Sequence, residues 1–124
     1  MPTTRSTRIL LVSNDVSLTS SRANLLTLAG YSADLELDQQ RAVRRIRTCY
    51  YHLVIVSETF APEEQLMLRS KLKQTRTELP VLLLSEHERD GVEFLSAVES
   101  FLGRIRTATP ENRGLLLKPY PHAR

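Results

Sequence analysis

Four short stretches carry the residues of this chain whose types suit chemistry: Ser13-Asn14-Asp15, Ser57-Glu58-Thr59, Ser85-Glu86 and Lys118-Pro119-Tyr120. Each directly follows an apolar run. Carboxylates in such places can hold a hard cation, and a hydroxyl attacks only when a base activates it. No histidine is placed by sequence to activate Ser57, because the three histidines stand far apart at 52, 87 and 122. That separation also excludes a zinc site of cysteine and histidine ligands. The single cysteine, Cys49, cannot form an internal disulfide, which points to a reducing compartment and a cytoplasmic location. A second chemical feature is basic: Arg41, Arg44, Arg45 and Arg47 fall within seven residues. Helical spacing puts Arg41, Arg44 and Arg45 on one face, suited to phosphate or an acidic partner. A solvated helix face is the plainer reading, since no aromatic or glycine-rich element accompanies them to read bases.

The elements that must position these groups follow from hydrophobic periodicity. Of 124 residues, 41% are hydrophobic and 25% charged, with a net charge of +3, which suits one globular domain over 1–124 with its core at about 8–120. No apolar run approaches the ~18 residues of a membrane span. Residues 1–8 lack the apolar stretch of a secretory signal. Apolar runs predict strands over 9–12, 53–56, 81–84 and 115–117, the first two buried on both faces. The alternation of 32–37 predicts an edge strand with Ala33, Leu35 and Leu37 inward and Asp34 and Glu36 wet. Helices are expected over 17–29, capped by Ser17 and stopped by Gly30, and over 39–50, with Ala42, Val43, Ile46 and Cys49 inward. Two more are expected over 63–74, with Pro62 at its first turn, and over 89–107. Tyr50-Tyr51 read as packing residues. Strands and helices alternate, which implies an α/β fold: a doubly wound, parallel, five-stranded sheet covered on both sides. In such sheets ligands bind beyond the carboxyl ends of the strands, where the four polar stretches lie.

At these strand ends the chain resembles the receiver domain of bacterial two-component response regulators, the flavodoxin-like fold of CheY. The resemblance covers about 8–120. It rests on Ile9-Leu10-Leu11-Val12, Gly30-Tyr31, Leu53-Val54-Ile55-Val56, Leu79 through Ser85, and Gly114 through Tyr120, with Lys118-Pro119-Tyr120 the most specific. The resemblance implies an acid pair after the first strand that holds magnesium, and a phosphoacceptor aspartate ending the third. It also implies a hydroxyl residue after the fourth strand, a lysine after the fifth and an aromatic switch on the fifth. Carried over by position, Ser85 and Lys118 match the two phosphoryl contacts. Ser13 and Asn14 stand at the acid pair, with Asp15 one position beyond. Ser57 stands at the phosphoacceptor, Leu115 at the switch, and Lys118-Pro119 at the family's cis peptide. If Pro62 sets the register instead, Glu58 takes the phosphoacceptor position; the plainer reading of Glu58 is a solvent-facing loop acid.

The resemblance therefore implies a pseudo-receiver, degenerate at its phosphorylation site. It would be a non-enzymatic signalling module without metal or cofactor, acting through a protein partner such as a histidine kinase. Two alternatives stay open: a phosphorylatable or metal-binding receiver using Glu58 or Asp15, and a small nucleic-acid-binding protein working through the helix of Arg41 to Arg47. The six residues after Lys118, ending Pro121-His122-Ala123-Arg124, are too few for the family's fifth helix. An uncovered flank, and a homodimer through it, are further expectations.

Overall fold

The structure, a computed structural model, describes residues 7–107. The three apolar runs in that range and the alternating segment form parallel strands: β1 (Arg8–Val12), β2 (Ser32–Glu36), β3 (Leu53–Val56) and β4 (Val81–Leu83), in the spatial order β2-β1-β3-β4. Between and after them lie α1 (Val16–Leu28), α2 (Gln39–Thr48), α3 (Pro62–Thr75), a single 3-10 turn (Glu86–Glu88) and α4 (Gly91–Thr107). The expected fifth strand, with Leu115, Lys118, the Lys118-Pro119 bond and the chain end, lies outside the described residues.

Side chains alternate across a strand, so each strand feeds two cores. Leu10, Val12, Val54 and Val56 face Ala42, Ile46, Leu68 and Leu72 of α2 and α3. Ile9, Leu11, Leu53 and Ile55 face Leu26, Phe94, Val98 and Leu102 of α1 and α4. All of these are essentially removed from water. Helices on both faces of a parallel sheet make the doubly wound, flavodoxin-like arrangement that the alternating pattern implies.

The details depart from expectation where polar groups find partners. The cap of α1 is Asp15, not Ser17: its carboxylate accepts the Leu18 N–H at 3.0 Å. β2 keeps its hydrophobic pattern at Ala33, which packs against the core beside α1, and departs from it toward its end. Glu36 is buried while Leu35 and Leu37 are exposed, because α2 covers the acidic side and brings Arg45 to it. The Arg45 Nε donates to Glu36 at 3.2 Å, and its Nη1 donates to the Tyr51 hydroxyl at 3.3 Å. Tyr51 in turn donates to Asp34 at 2.7 Å. Burial, reinforced by that bond to Asp34, pushes the Tyr51 phenol pKa above its ordinary value, although Arg45 opposes the rise. Tyr51 is thus a packing residue, whereas Tyr50 is exposed.

The arginines of α2 do not share one face. Arg41 and Arg45 lie toward β2, whereas Arg44 and Arg47 lie toward α3. Gly30 ends the turn after α1 with φ of 98°, in the left-handed region, and a Cβ there would touch nothing within 4 Å. The cost of Gly30→Ala is therefore backbone strain alone, about 1 kcal/mol. Gly30→Asn costs less, since asparagine tolerates that conformation. Urea unfolding should show this order with an unchanged m-value.

Candidate functional site

The site is built where β1 and β3 end together. Val12 and Val56 are register partners, so Ser13 and Ser57 leave the sheet side by side, and the Ser57 N–H donates to the Val12 carbonyl at 2.9 Å. Both serines are buried. The Ser57 Oγ accepts from the Thr59 N–H at 3.1 Å and the Thr59 hydroxyl at 3.0 Å. The Ser13 Oγ accepts from the Asp15 N–H at 3.0 Å. Asn14 is exposed, and one carboxylate oxygen of Asp15 is committed to the cap of α1. Of the acid-pair candidates, only a buried hydroxyl thus faces the strand ends.

Glu58 does not face solvent. Its side chain is 4% exposed and is gripped by Arg22, itself 4% exposed, from α1. The two guanidinium Nη atoms donate to the two carboxylate oxygens at 3.0 and 2.9 Å, a bidentate pair. Arg89, just before α4, adds its Nε at 2.8 Å to Oε2, and the Ser57 hydroxyl donates to Oε1 at 3.3 Å. A carboxylate offers about four lone-pair sites, and here each oxygen takes two donors. Arg22 also reaches the Ser57 Oγ and the Glu88 carbonyl, both at 3.4 Å, and its guanidinium lies 5.2 Å from the centre of the Phe94 ring. Its Nε is buried without a hydrogen-bond partner.

Burial is the strongest single influence on the Glu58 pKa and raises it. The hydrogen bonds from Arg22 and from the glutamate's own backbone N–H, with the charges of Arg22 and Arg89, outweigh burial and hold it below the ordinary value. Glu58 is therefore ionised at neutral pH and a weak base, unsuited to activating Ser57. Two guanidiniums on Glu58 neutralise the one carboxylate that could attract a divalent cation there. Among the described residues no group of three or more histidine, cysteine or acidic side chains could hold a metal.

Ser85 is exposed and turns to its own loop. Its hydroxyl donates to Glu88 at 2.8 Å and accepts the His87 N–H at 3.2 Å. The structure brings Ser13, Ser57 and Glu58 together and leaves Asn14 and Ser85 outside their cluster; Lys118 and Leu115 lie beyond the described residues. Sequence reasoning missed Arg22 and Arg89. For Arg22 a signal existed: Thr19, Arg22 and Leu26 share the helical stripe that α1 buries. An arginine on that stripe requires a buried anion, and Glu58 is that anion.

Solved structures share this architecture. A two-component response regulator from Clostridium difficile superposes with a TM-score of 0.66 at 20% identity, covering 81% of this chain and 98% of that one. This is the receiver fold. The N-terminal domain of a response regulator/sensory box/GGDEF protein from Carboxydothermus hydrogenoformans gives a TM-score of 0.69 at 20% identity, covering 81% and 97%. A CheY-like receiver domain from Methanospirillum hungatei gives 0.61 at 18% identity, covering 89% and 98%. At these identities the likeness is one of fold. Neither a protein-family model nor a curated protein sequence matches the chain.

Removing Arg22 leaves Glu58 with only the half-exposed Arg89 and the Ser57 hydroxyl, so Arg22→Met should destabilise the receiver fold by up to about 3–5 kcal/mol. The double variant Arg22→Met/Glu58→Leu should recover most of that loss, as a double-mutant cycle by chemical denaturation will show. The pH dependence has a definite sign. A depressed folded-state pKa contributes stability above the unfolded value of about 4.3 and loses it as pH falls through the folded value. The stability difference between the unmodified chain and Glu58→Gln should therefore shrink as pH falls below about 5.

Proposed function

We propose that the chain is a pseudo-receiver: a single receiver-like domain that does not transfer phosphate and signals by binding a protein partner. The observation that carries this reading is the saturation of Glu58. A phosphoacceptor must offer a free carboxylate oxygen to an incoming phosphoryl group beside a bound cation. Here both candidate positions are spent: Ser57 is a buried hydroxyl that accepts from Thr59, and Glu58 is clasped by Arg22 and Arg89. Arg22 provides internally the positive charge that a cation would otherwise bring, and it cannot leave without exposing a buried ion. The carboxylate position and its counter-charge are thus fixed in one state.

The fold neighbours include response regulators, so the corresponding partner class is a histidine kinase or another signalling protein. No metal, cofactor or catalytic step is assigned to the chain. No helix among the described residues is long and apolar enough to cross a membrane. The half-buried single thiol of Cys49 accords with a cytoplasmic setting.

Incubation with acetyl phosphate and Mg²⁺, followed by intact mass spectrometry, should leave the mass of the chain unchanged. A labile phosphoryl adduct that disappears in Glu58→Gln would establish the phosphorylatable alternative instead. Titration with Mg²⁺ alone should leave the amide NMR signals of Ser13, Ser57 and Glu58 in place.

A further inference from the structure

The described residues sort their cations sharply. Arg8, Arg22, Arg45 and Arg89 each pair with an acid, and Arg76 lies over Tyr50 and donates to the Ile46 carbonyl. Arg41, Arg44, Arg47, Arg69 and Lys71 are exposed, and among the described residues none of them pairs with an acid. Three of these, Arg44, Arg47 and Lys71, line a groove of about 760 Å³ between α2 and α3. The groove is not purely polar. Val43 and Phe60 contribute to its lining, Phe60 almost wholly buried, and Leu37 at 45% exposure lies on its edge. Met67, 60% exposed, stands one helical turn before Lys71 on α3. One acid, Asp38, also lies on the lining, its Oδ1 accepting the Gln40 and Arg41 N–H groups at the cap of α2, so the three cations outnumber it.

Apolar lining at Leu37 and Val43 beside unpaired cations is complementary to a segment carrying apolar side chains on one face and carboxylates on the other. We propose that the α2–α3 groove is the docking site for an acidic, amphipathic segment of a partner protein. Nucleic acid fits less well, because the lining aromatic, Phe60, is too buried to stack on a base. The inference rests on the reading that the chain acts through a protein partner, and not on whether it accepts phosphate.

The test uses the full chain and a fluorescein-labelled helical peptide with Glu on one face and Leu on the other. Binding is read by anisotropy, and the site by amide shifts in α2 and α3. Arg44→Glu and Lys71→Glu should each weaken binding about tenfold. Arg69→Glu makes the same change in charge off the groove and should weaken it less than about twofold. Unchanged binding on replacing Leu by Ser in the peptide, or an equal effect of Arg69→Glu, overturns the proposal in favour of diffuse charge attraction. Binding of polyuridine with no binding of the peptide overturns it in favour of nucleic acid. Self-association abolished by Arg44→Glu would give the groove to a second copy, through the acids Glu86, Glu88, Asp90 and Glu93 around the start of α4, and overturn it as well. Absence of peptide binding without a phosphoryl adduct defeats the groove alone; an adduct with peptide binding intact defeats only the reading without phosphotransfer.

Discussion

A carboxylate that has left water must find its charge elsewhere, and the upper rim of this molecule is organised around that requirement at Glu58. Arg22 reaches it from α1 and Arg89 from the loop before α4, so one anion ties β3 to two helices on the same side of the sheet. Such a cluster is weak evidence for stability, because dehydrating the ions costs nearly what their attraction returns. Its effect is on specificity. Any arrangement that draws α1 away from β3 strands at least one charge in the interior, so the loop ends are held to one geometry.

That constraint explains several otherwise separate features. Arg22 can be buried because Phe94 offers a ring face and the Glu88 carbonyl a further acceptor. The Glu86–Glu88 turn sits where that carbonyl is available, and Ser85 caps the turn instead of pointing toward Ser57. On the other side of the sheet Gln65, also buried, donates from its amide to the Ser57 and Leu84 carbonyls, each at 2.9 Å. It thereby satisfies the ends of β3 and β4 together. The strand ends of a parallel sheet usually form an open crevice; here they are filled by side chains that complete one another.

The same economy of charge shapes the exterior. Where an arginine can reach an acid across the sheet edge, as Arg45 reaches Glu36, it is drawn in. Where α2 and α3 face each other, the groove holds one acid, Asp38, against Arg44, Arg47 and Lys71.

The sequence by itself determined the alternation of strands and helices, because continuous apolar runs and helical stripes differ in period and little else can satisfy them. It determined the two-sided core, since 9–12 and 53–56 have no polar face to show to water, and it placed Ser13 and Ser57 at the strand ends. It did not determine how β2 ends, where counting Leu35 and Leu37 as inward failed against the ion pairs that α2 brings to Asp34 and Glu36. Nor did it determine the role of Glu58. A loop acid reads as solvated until its partners are known, and Arg22 lies 36 residues away in the chain. Local pattern encodes which face of an element is apolar. Only the tertiary structure decides which distant charge meets a buried one, because that depends on how whole elements are packed and not on the residues beside it.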